Sequence, residues 1–213
     1  EKSQVVILAI KPQIMKLVLE PLSQAVAKNK PMLISIAAGI NIALMEGWLG
    51  KETAVVRCMP NTPSLLREGA TALFANGNVS DQQREQALAI LQAVGLALWV
   101  NKESELDTVT ALSGSGPAYF FLMMELMQQA GEKLGLSAEV SQQLTLQTAF
   151  GSAKMAIDSD VDVAELRRRV TSPNGTTHAA VQTFLNEGFS ELVENALASA
   201  QKRSVELSQE LGD

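Results

Sequence analysis

Residues 5–12 read Val-Val-Ile-Leu-Ala-Ile-Lys-Pro. Six apolar residues in a row predict a strand over Val5–Ile10 that is covered on both faces. Pro12 fits the first turn of a helix, where its missing N–H is no loss, and that helix is expected to run to about Ala27. The pattern returns twice. Met32 to Ala37 is a second strand, followed by Ala38, Gly39 and then Asn41, which caps a short helix through about Leu49. Ala54 to Met59 is a third, followed by Pro60, Asn61, Thr62 and Pro63. Shorter strands at Ala70–Ala75 and Ala97–Val100 surround a helix from about Asp81 to Val94. This alternation predicts an α/β region with a parallel or mixed sheet. In such sheets ligands bind beyond the carboxyl ends of the strands. Lys11-Pro12, Ala37-Ala38-Gly39 and Met59-Pro60-Asn61 each follow a strand, so they share a rim. Taken alone, Lys11 reads more readily as a surface lysine at a helix start.

From about Lys102 the period changes. Helices are expected at Glu103–Leu112, Pro117–Leu134, Ala138–Ile157, Val163–Val170, Thr177–Asn186 and Ser190–Leu211. Ser137 and Asp162 are predicted N-caps, and Asp162 with Glu165 has capping-box spacing. Gly135 is placed to end the helix that starts near Pro117. The run Phe120-Phe-Leu-Met-Met-Glu-Leu-Met127 is apolar nearly all round, which predicts burial in a core or an oligomer interface. Met123, Met124 and Met127 belong to that packing. A domain boundary is expected at 101/102, dividing the chain into 1–101 and 102–213.

Composition narrows the function classes. The chain has 213 residues, 46% of them apolar, and one Cys and one His. That excludes an internal disulfide and offers no recognisable zinc constellation. Cys58 follows a strand-like run and reads as a small buried residue rather than a nucleophile. No apolar run reaches the ~20 residues a membrane helix needs. Residues 1–101 hold 9 Lys+Arg and 7 Asp+Glu, whereas 102–213 hold 8 and 16. An acidic second half argues against a nucleic-acid partner. A reducing cytoplasm suits this composition. Arg167, Arg168 and Arg169 read as a solvated helix face able to raise the local potential.

Two turns carry the chemistry. Leu112-Ser-Gly-Ser-Gly-Pro-Ala-Tyr119 places Pro117 in a first helical turn, with Ser115 as its expected cap and glycines that let backbone or ligand approach. Val170-Thr-Ser-Pro-Asn-Gly-Thr-Thr177 lies between two helical stretches. A helix start leaves its first N–H groups without intrahelical partners. With the positive end of the dipole, they suit a carboxylate or phosphate. Ser172, Thr176 and Thr177 add hydroxyls there. On chemistry alone, an ordinary capped helix start is the commoner outcome of such a turn.

Together these blocks resemble the pyrroline-5-carboxylate reductase family. The resemblance rests on Ala9-Ile-Lys-Pro12, Ile36-Ala-Ala-Gly39, Arg57-Cys-Met-Pro-Asn-Thr-Pro63, Glu68-Gly-Ala70, Leu112 to Tyr119, Gly151-Ser-Ala-Lys-Met155 and Thr171 to Thr177, in the family's order. It implies a Rossmann-type dinucleotide-binding region followed by an all-helical dimerisation domain of the 6-phosphogluconate dehydrogenase C-terminal-like kind. It also implies reduction of 1-pyrroline-5-carboxylate to L-proline with NADP or NAD as cofactor, NADPH slightly favoured. The enzyme is expected to be a homodimer or higher homo-oligomer whose active site a second subunit completes.

By the same resemblance, Lys11, Pro12, Ala37, Ala38, Gly39, Met59, Pro60 and Asn61 bind cofactor. Ser172, Gly175, Thr176, Thr177, Ser115, Gly116 and Pro117 bind substrate. Thr177 is the catalytic residue, its hydroxyl meeting the ring nitrogen. Two positions depart from the family, Asn174 where it has Gly and His178 where it has an aliphatic residue. Asn tolerates positive φ, so the turn is expected to survive. His178 points about 100° around the helix from its neighbour and is not expected to act.

Nothing at the N-terminus matches the family's Gly-rich pyrophosphate loop. The reading is therefore of a fragment without the first two βα units, each about 30 residues. That makes a catalytically incompetent assembly scaffold the alternative for this chain. A 3-hydroxyacid dehydrogenase is a weaker rival, because its catalytic lysine has no counterpart here. The first Lys on the helix after Leu112-Ser-Gly-Ser-Gly is Lys133, too far along.

Overall fold

The computed structural model describes residues 3–211. The chain forms two compact units. One comprises the residues up to Pro117 together with those from Ala196 onward, and the other is Ala118–Asn195.

The first unit holds one five-stranded sheet in the order β1 (Val5–Leu8), β2 (Met32–Ser35), β3 (Val55–Met59), β4 (Gly69–Ala75) and β5 (Gly95–Trp99). β1, β2 and β3 are parallel, with Val5 opposite Met32 and Leu33 opposite Val55. β4 runs antiparallel to β3, and β5 parallel to β4. The reversal follows from chain length. A parallel crossover takes a dozen or more residues, and only residues 60–68 join β3 to β4, through a short 3₁₀ turn at Thr62–Leu66. The sheet is mixed, one of the two outcomes expected.

β2 is buried throughout, and β3 up to Cys58, the polar Ser35 and the charged Arg57 included. Alternation splits their side chains between two cores. Leu33 and Val55 pack with Leu8, Met15, Leu19, Met45 and Leu49, while Met32, Ile34, Val56 and Cys58 pack with Leu73, Ala87 and Leu91. Each fully buried Leu or Met stabilises by about 1.5–3 kcal/mol. β1 does not meet its expectation of cover on both faces. Among the described residues it lies at the edge of the sheet, and Ile7 is 52% exposed.

The helix expected from Pro12 to Ala27 is broken. It forms a 3₁₀ turn at Pro12–Ile14, α1 (Met15–Leu19), another 3₁₀ turn at Glu20–Leu22 and α2 (Ser23–Asn29). Pro21 is the cause, since it lacks an N–H and its ring crowds the carbonyl four residues back. α3 (Ile42–Leu49) is capped by Asn41, which accepts from the Leu44 N–H at 2.9 Å. α4 (Asp81–Gln92) starts in a Ser80–Gln83 capping box.

Arg57 points from β3 into the α1–α3 side, 5% exposed. Its guanidinium meets Glu103 at 3.0 Å. The same Glu103 oxygen accepts the Ile42 N–H at 2.8 Å, so it also satisfies an orphan donor at the start of α3. α5 (Glu105–Val109) follows, then a π-helical turn at Thr110–Gly114. The end of the last helix completes this unit. Ser204 donates to Asp107 at 2.7 Å, and Gly39 makes room for Leu211.

The second unit contains most of α6 (Gly116–Lys133), α7 (Ala138–Ile157), α8 (Val163–Arg169), α9 (Thr176–Asn186) and the start of α10 (Phe189–Glu210). Ser137 and Asp162 cap α7 and α8 as expected. Gly135, at φ +105°, closes α6. The capping box at Asp162 is half made. Asp162 accepts from the Glu165 N–H, but the Glu165 carboxylate turns to Arg168 and Arg169. The Arg168 and Arg169 hydrogen bonds hold the Glu165 carboxyl down at about 2. A depressed carboxyl stabilises above its unfolded pKa, and that contribution is lost as pH falls through about 2.

α6 and α7 leave Phe120, Phe121 and Phe150 more than 60% exposed in the single chain, with Leu126 and Leu144 over half exposed. Of the two outcomes expected for the apolar run, core burial does not occur. A contiguous apolar face of this kind marks an interface.

Glu103→Ala strands a buried guanidinium, so it should destabilise by about 3 kcal/mol in urea denaturation. Arg57→Met combined with Glu103→Leu should recover most of that loss. Equal destabilisation by the single and double variants would mean that the pair is not what holds this corner.

Candidate active site

Because β1, β2 and β3 run the same way, their carboxyl ends form one edge. Lys11 stands there in extended conformation and exposed, ahead of the turn at Pro12. Ala37 and Gly39 are buried, and the Ala37 N–H donates to the Ser35 hydroxyl at 3.4 Å. Gly39 has φ +77°, and a Cβ there would lie 3.0 Å from Leu211. The left-handed backbone favours glycine at position 39, and a side chain there would also press on the end of Leu211.

Met59, Pro60 and Asn61 are half-buried. The Asn61 side-chain amide donates to the Ser113 carbonyl at 3.0 Å, and its oxygen accepts the Ala70 N–H at 2.9 Å. Cys58, just before them, is buried, and burial pushes its thiol up to about 12. It is therefore a packed thiol and not a nucleophile.

Ser115, Gly116 and Pro117 belong to the same unit as this rim. Ser115 does not cap α6. Its backbone is helical, φ −86° and ψ −16°, and its N–H donates to the Thr110 carbonyl at 2.8 Å. The expectation of a separate helix start failed because a π turn carries the chain directly from α5 into α6. Such turns recur at functional sites. Lys133 is the last residue of α6, far from a glycine-turn lysine position.

Ser172, Gly175, Thr176 and Thr177 lie in the other unit. Asn174 has φ +61°, the left-handed backbone expected of it. The Gly175 N–H donates to the Ser172 carbonyl at 3.0 Å. Gly175 is the N-cap of α9, with no side-chain cap bond. Glycine is itself a common N-cap, so α9 has an ordinary start without a Ser, Thr or Asn side chain on its first N–H groups. The α9 start presents backbone N–H groups beside exposed Ser172, Thr176 and Thr177. That combination suits a small carboxylate. His178 is half-buried on the next position.

The comparisons with known proteins converge. The family described as pyrroline-5-carboxylate reductase dimerisation matches residues 103–207. The pyrroline-5-carboxylate reductase of Pseudomonas aeruginosa is 58% identical over 99% of this chain and 77% of its own length. The chain belongs to the pyrroline-5-carboxylate reductase family. A solved pyrroline-5-carboxylate reductase from Coxiella burnetii superposes with TM-score 0.92 at 46% identity, over 96% of this chain and 76% of that one. The Plasmodium falciparum pyrroline carboxylate reductase, solved with NADP bound, gives 0.88 at 35% identity, over 96% and 77%.

A pyrroline-5-carboxylate reductase is an NAD(P)-dependent oxidoreductase, and this family's helical region dimerises. The exposed faces of α6 and α7 lie within the matched dimerisation region. No helix among the described residues is long and apolar enough to cross a membrane. Along the rim Lys11 is exposed and Ala38 half-buried, while the Ala37 side chain packs into the core.

Three features of the site escaped the sequence reading. They are the π turn, the Arg57–Glu103 pair and the Asn61–Ser113 bond. Only the last had a usable signal, since Pro117 four residues after Ser113 removes that carbonyl's helical donor.

Position 174 offers a direct test of the turn. Asn174→Gly should change stability by no more than about 0.5 kcal/mol, whereas Asn174→Val should cost roughly 1–2 kcal/mol for a left-handed β-branched residue. Chemical denaturation of both variants checks this. A neutral Asn174→Val would show that the turn is not held left-handed.

Proposed function

We propose that this protein reduces 1-pyrroline-5-carboxylate to L-proline with NAD(P)H, NADPH favoured, in the cytoplasm. Likeness to a pyrroline-5-carboxylate reductase over 99% of the chain carries the reading. We divide the work between residues 1–101 as the cofactor-binding part and 102–213 as the substrate-binding and dimerisation part.

Reduction converts a cyclic C=N bond to CH–NH. The nitrogen gains a proton, and the carbon accepts the hydride that NAD(P)H supplies. A protonated imine is already electrophilic, so positioning supplies much of the rate. The N–H groups of Gly175, Thr176 and Thr177 at the α9 start hold the substrate carboxylate, with the Ser172 hydroxyl beside them. The Thr177 hydroxyl hydrogen-bonds the ring nitrogen as it becomes an amine. Ser115, Gly116 and Pro117 wall the pocket. Lys11, Pro12, Ala37, Ala38, Gly39, Met59 and Pro60 line the cofactor edge, and Asn61 ties the end of that segment to Ser113.

The protein should reduce NADP⁺ or NAD⁺ in the presence of proline at high pH. No turnover with proline or its thio-analogue by folded protein would overturn the reading.

Thr177→Val keeps shape and removes one hydrogen bond to a charged group, worth about 1.5–3 kcal/mol. That is roughly a ten- to hundred-fold loss of kcat/KM at 1.36 kcal/mol per decade. His178→Leu should leave kcat/KM within about two-fold, since it touches no reacting atom. A Thr177→Val enzyme with lower melting temperature but intact turnover would show that Thr177 serves the helix and not the imine.

A further inference from the structure

We propose that Asn61 is a positioning residue that clamps the cofactor edge to the Ser115–Pro117 wall, rather than a ligand of the cofactor. This deepens the reductase reading and rests on it for the kinetic consequence.

The backbone makes the need. α5, the π turn and α6 form one helical path from Glu105 to Lys133. In regular helix the Ser113 carbonyl accepts from the residue four places on. That residue is Pro117, which has no N–H. The Ser115 N–H does not help, because it reaches back five residues to Thr110. A half-buried carbonyl would be left unpaired, a loss comparable to a missing hydrogen bond.

Asn61 supplies the donor, its Nδ2 lying 3.0 Å from the Ser113 oxygen. The other end of the same amide accepts the Ala70 N–H at 2.9 Å, at the start of β4. The carboxamide is thus held at both ends by the chain itself. Gly114 completes the clamp, since a Cβ there would lie 2.5 Å from the Met59 methyl. Met59 and Asn61 at the end of β3 are therefore seated directly on Ser113 and Gly114. The wall residues follow immediately in sequence, and all these groups lie in one unit. Any slack in the clamp becomes slack between wall and edge, and misplacement on the scale of an ångström costs about a hundred-fold in rate.

Asn61→Asp keeps an acceptor for Ala70 and replaces the donor with a repelling oxygen. We expect kcat to fall roughly ten- to a hundred-fold, and NADPH Kd by calorimetry to stay within about three-fold, since no cofactor contact is removed. Amide exchange at Ser115 and Gly116 should accelerate. Adding Pro117→Ala returns an N–H to the Ser113 carbonyl and should restore part of that protection.

A ten-fold weaker NADPH Kd with unchanged exchange would make Asn61 a cofactor ligand and overturn the proposal. A lowered melting temperature with wild-type kcat and exchange would overturn it too, as would no recovery of protection on adding Pro117→Ala. Should the unmodified protein fail to turn over proline, the reductase reading fails. Exchange at Ser115 and Gly116 then decides the clamp alone, faster exchange in Asn61→Asp supporting it and unchanged exchange refuting it.

Discussion

The parallel pairing of β1, β2 and β3 governs what the first unit can do. Parallel strands bring their carboxyl ends to one edge, and each chain leaving that edge starts a turn or helix there. Lys11, Ala37–Gly39 and Met59–Asn61 are neighbours for that reason, though 50 residues separate the first from the last. The antiparallel β4 then returns its own beginning to the same edge, and so Ala70 can reach Asn61.

Much of this was legible in the sequence, for reasons that differ by element. β2 and β3 announce themselves as mostly apolar stretches, broken by Ser35 and Arg57, because both faces are covered. α7 was bounded correctly at both ends because Ser137 caps it and a polar stretch follows Ile157. The left-handed backbone at Asn174 follows from the glycine that the resembling family has there and from the tolerance of Asn for positive φ. The direction of β4 was not legible, since alternation of apolar residues is blind to strand polarity. Nor was the π turn, whose one sequence cue, Pro117, equally suits an ordinary helix start. Pro12 at a helix start predicts one helix to about Ala27, and Pro21 breaks it.

At the candidate site, local signals served and long-range ones did not. The α9 turn is legible because small polar residues mark a helix start, and the role given to it rests on the family resemblance. Glu103 reads as an ordinary helix-start acid. Its partners Arg57 and the Ile42 N–H are 46 and 61 residues away, and nothing in the local pattern predicts either. Arg57 is buried while Glu103 is only partly so, and a buried guanidinium left without its carboxylate is costly. The Arg57–Glu103 bond thereby fixes β3, the start of α3 and the approach to α5 with a single carboxylate.

The apolar faces of α6 and α7 have a consequence for how this protein's folding must be described. Phe120, Phe121, Phe150, Leu126 and Leu144 are less than half buried in an isolated chain, so part of the hydrophobic free energy arrives only on association. Mass action then enters the folding equilibrium. The folded state is favoured by each increase in protomer concentration, and a melting temperature characterises the protein only together with the dilution at which it was taken.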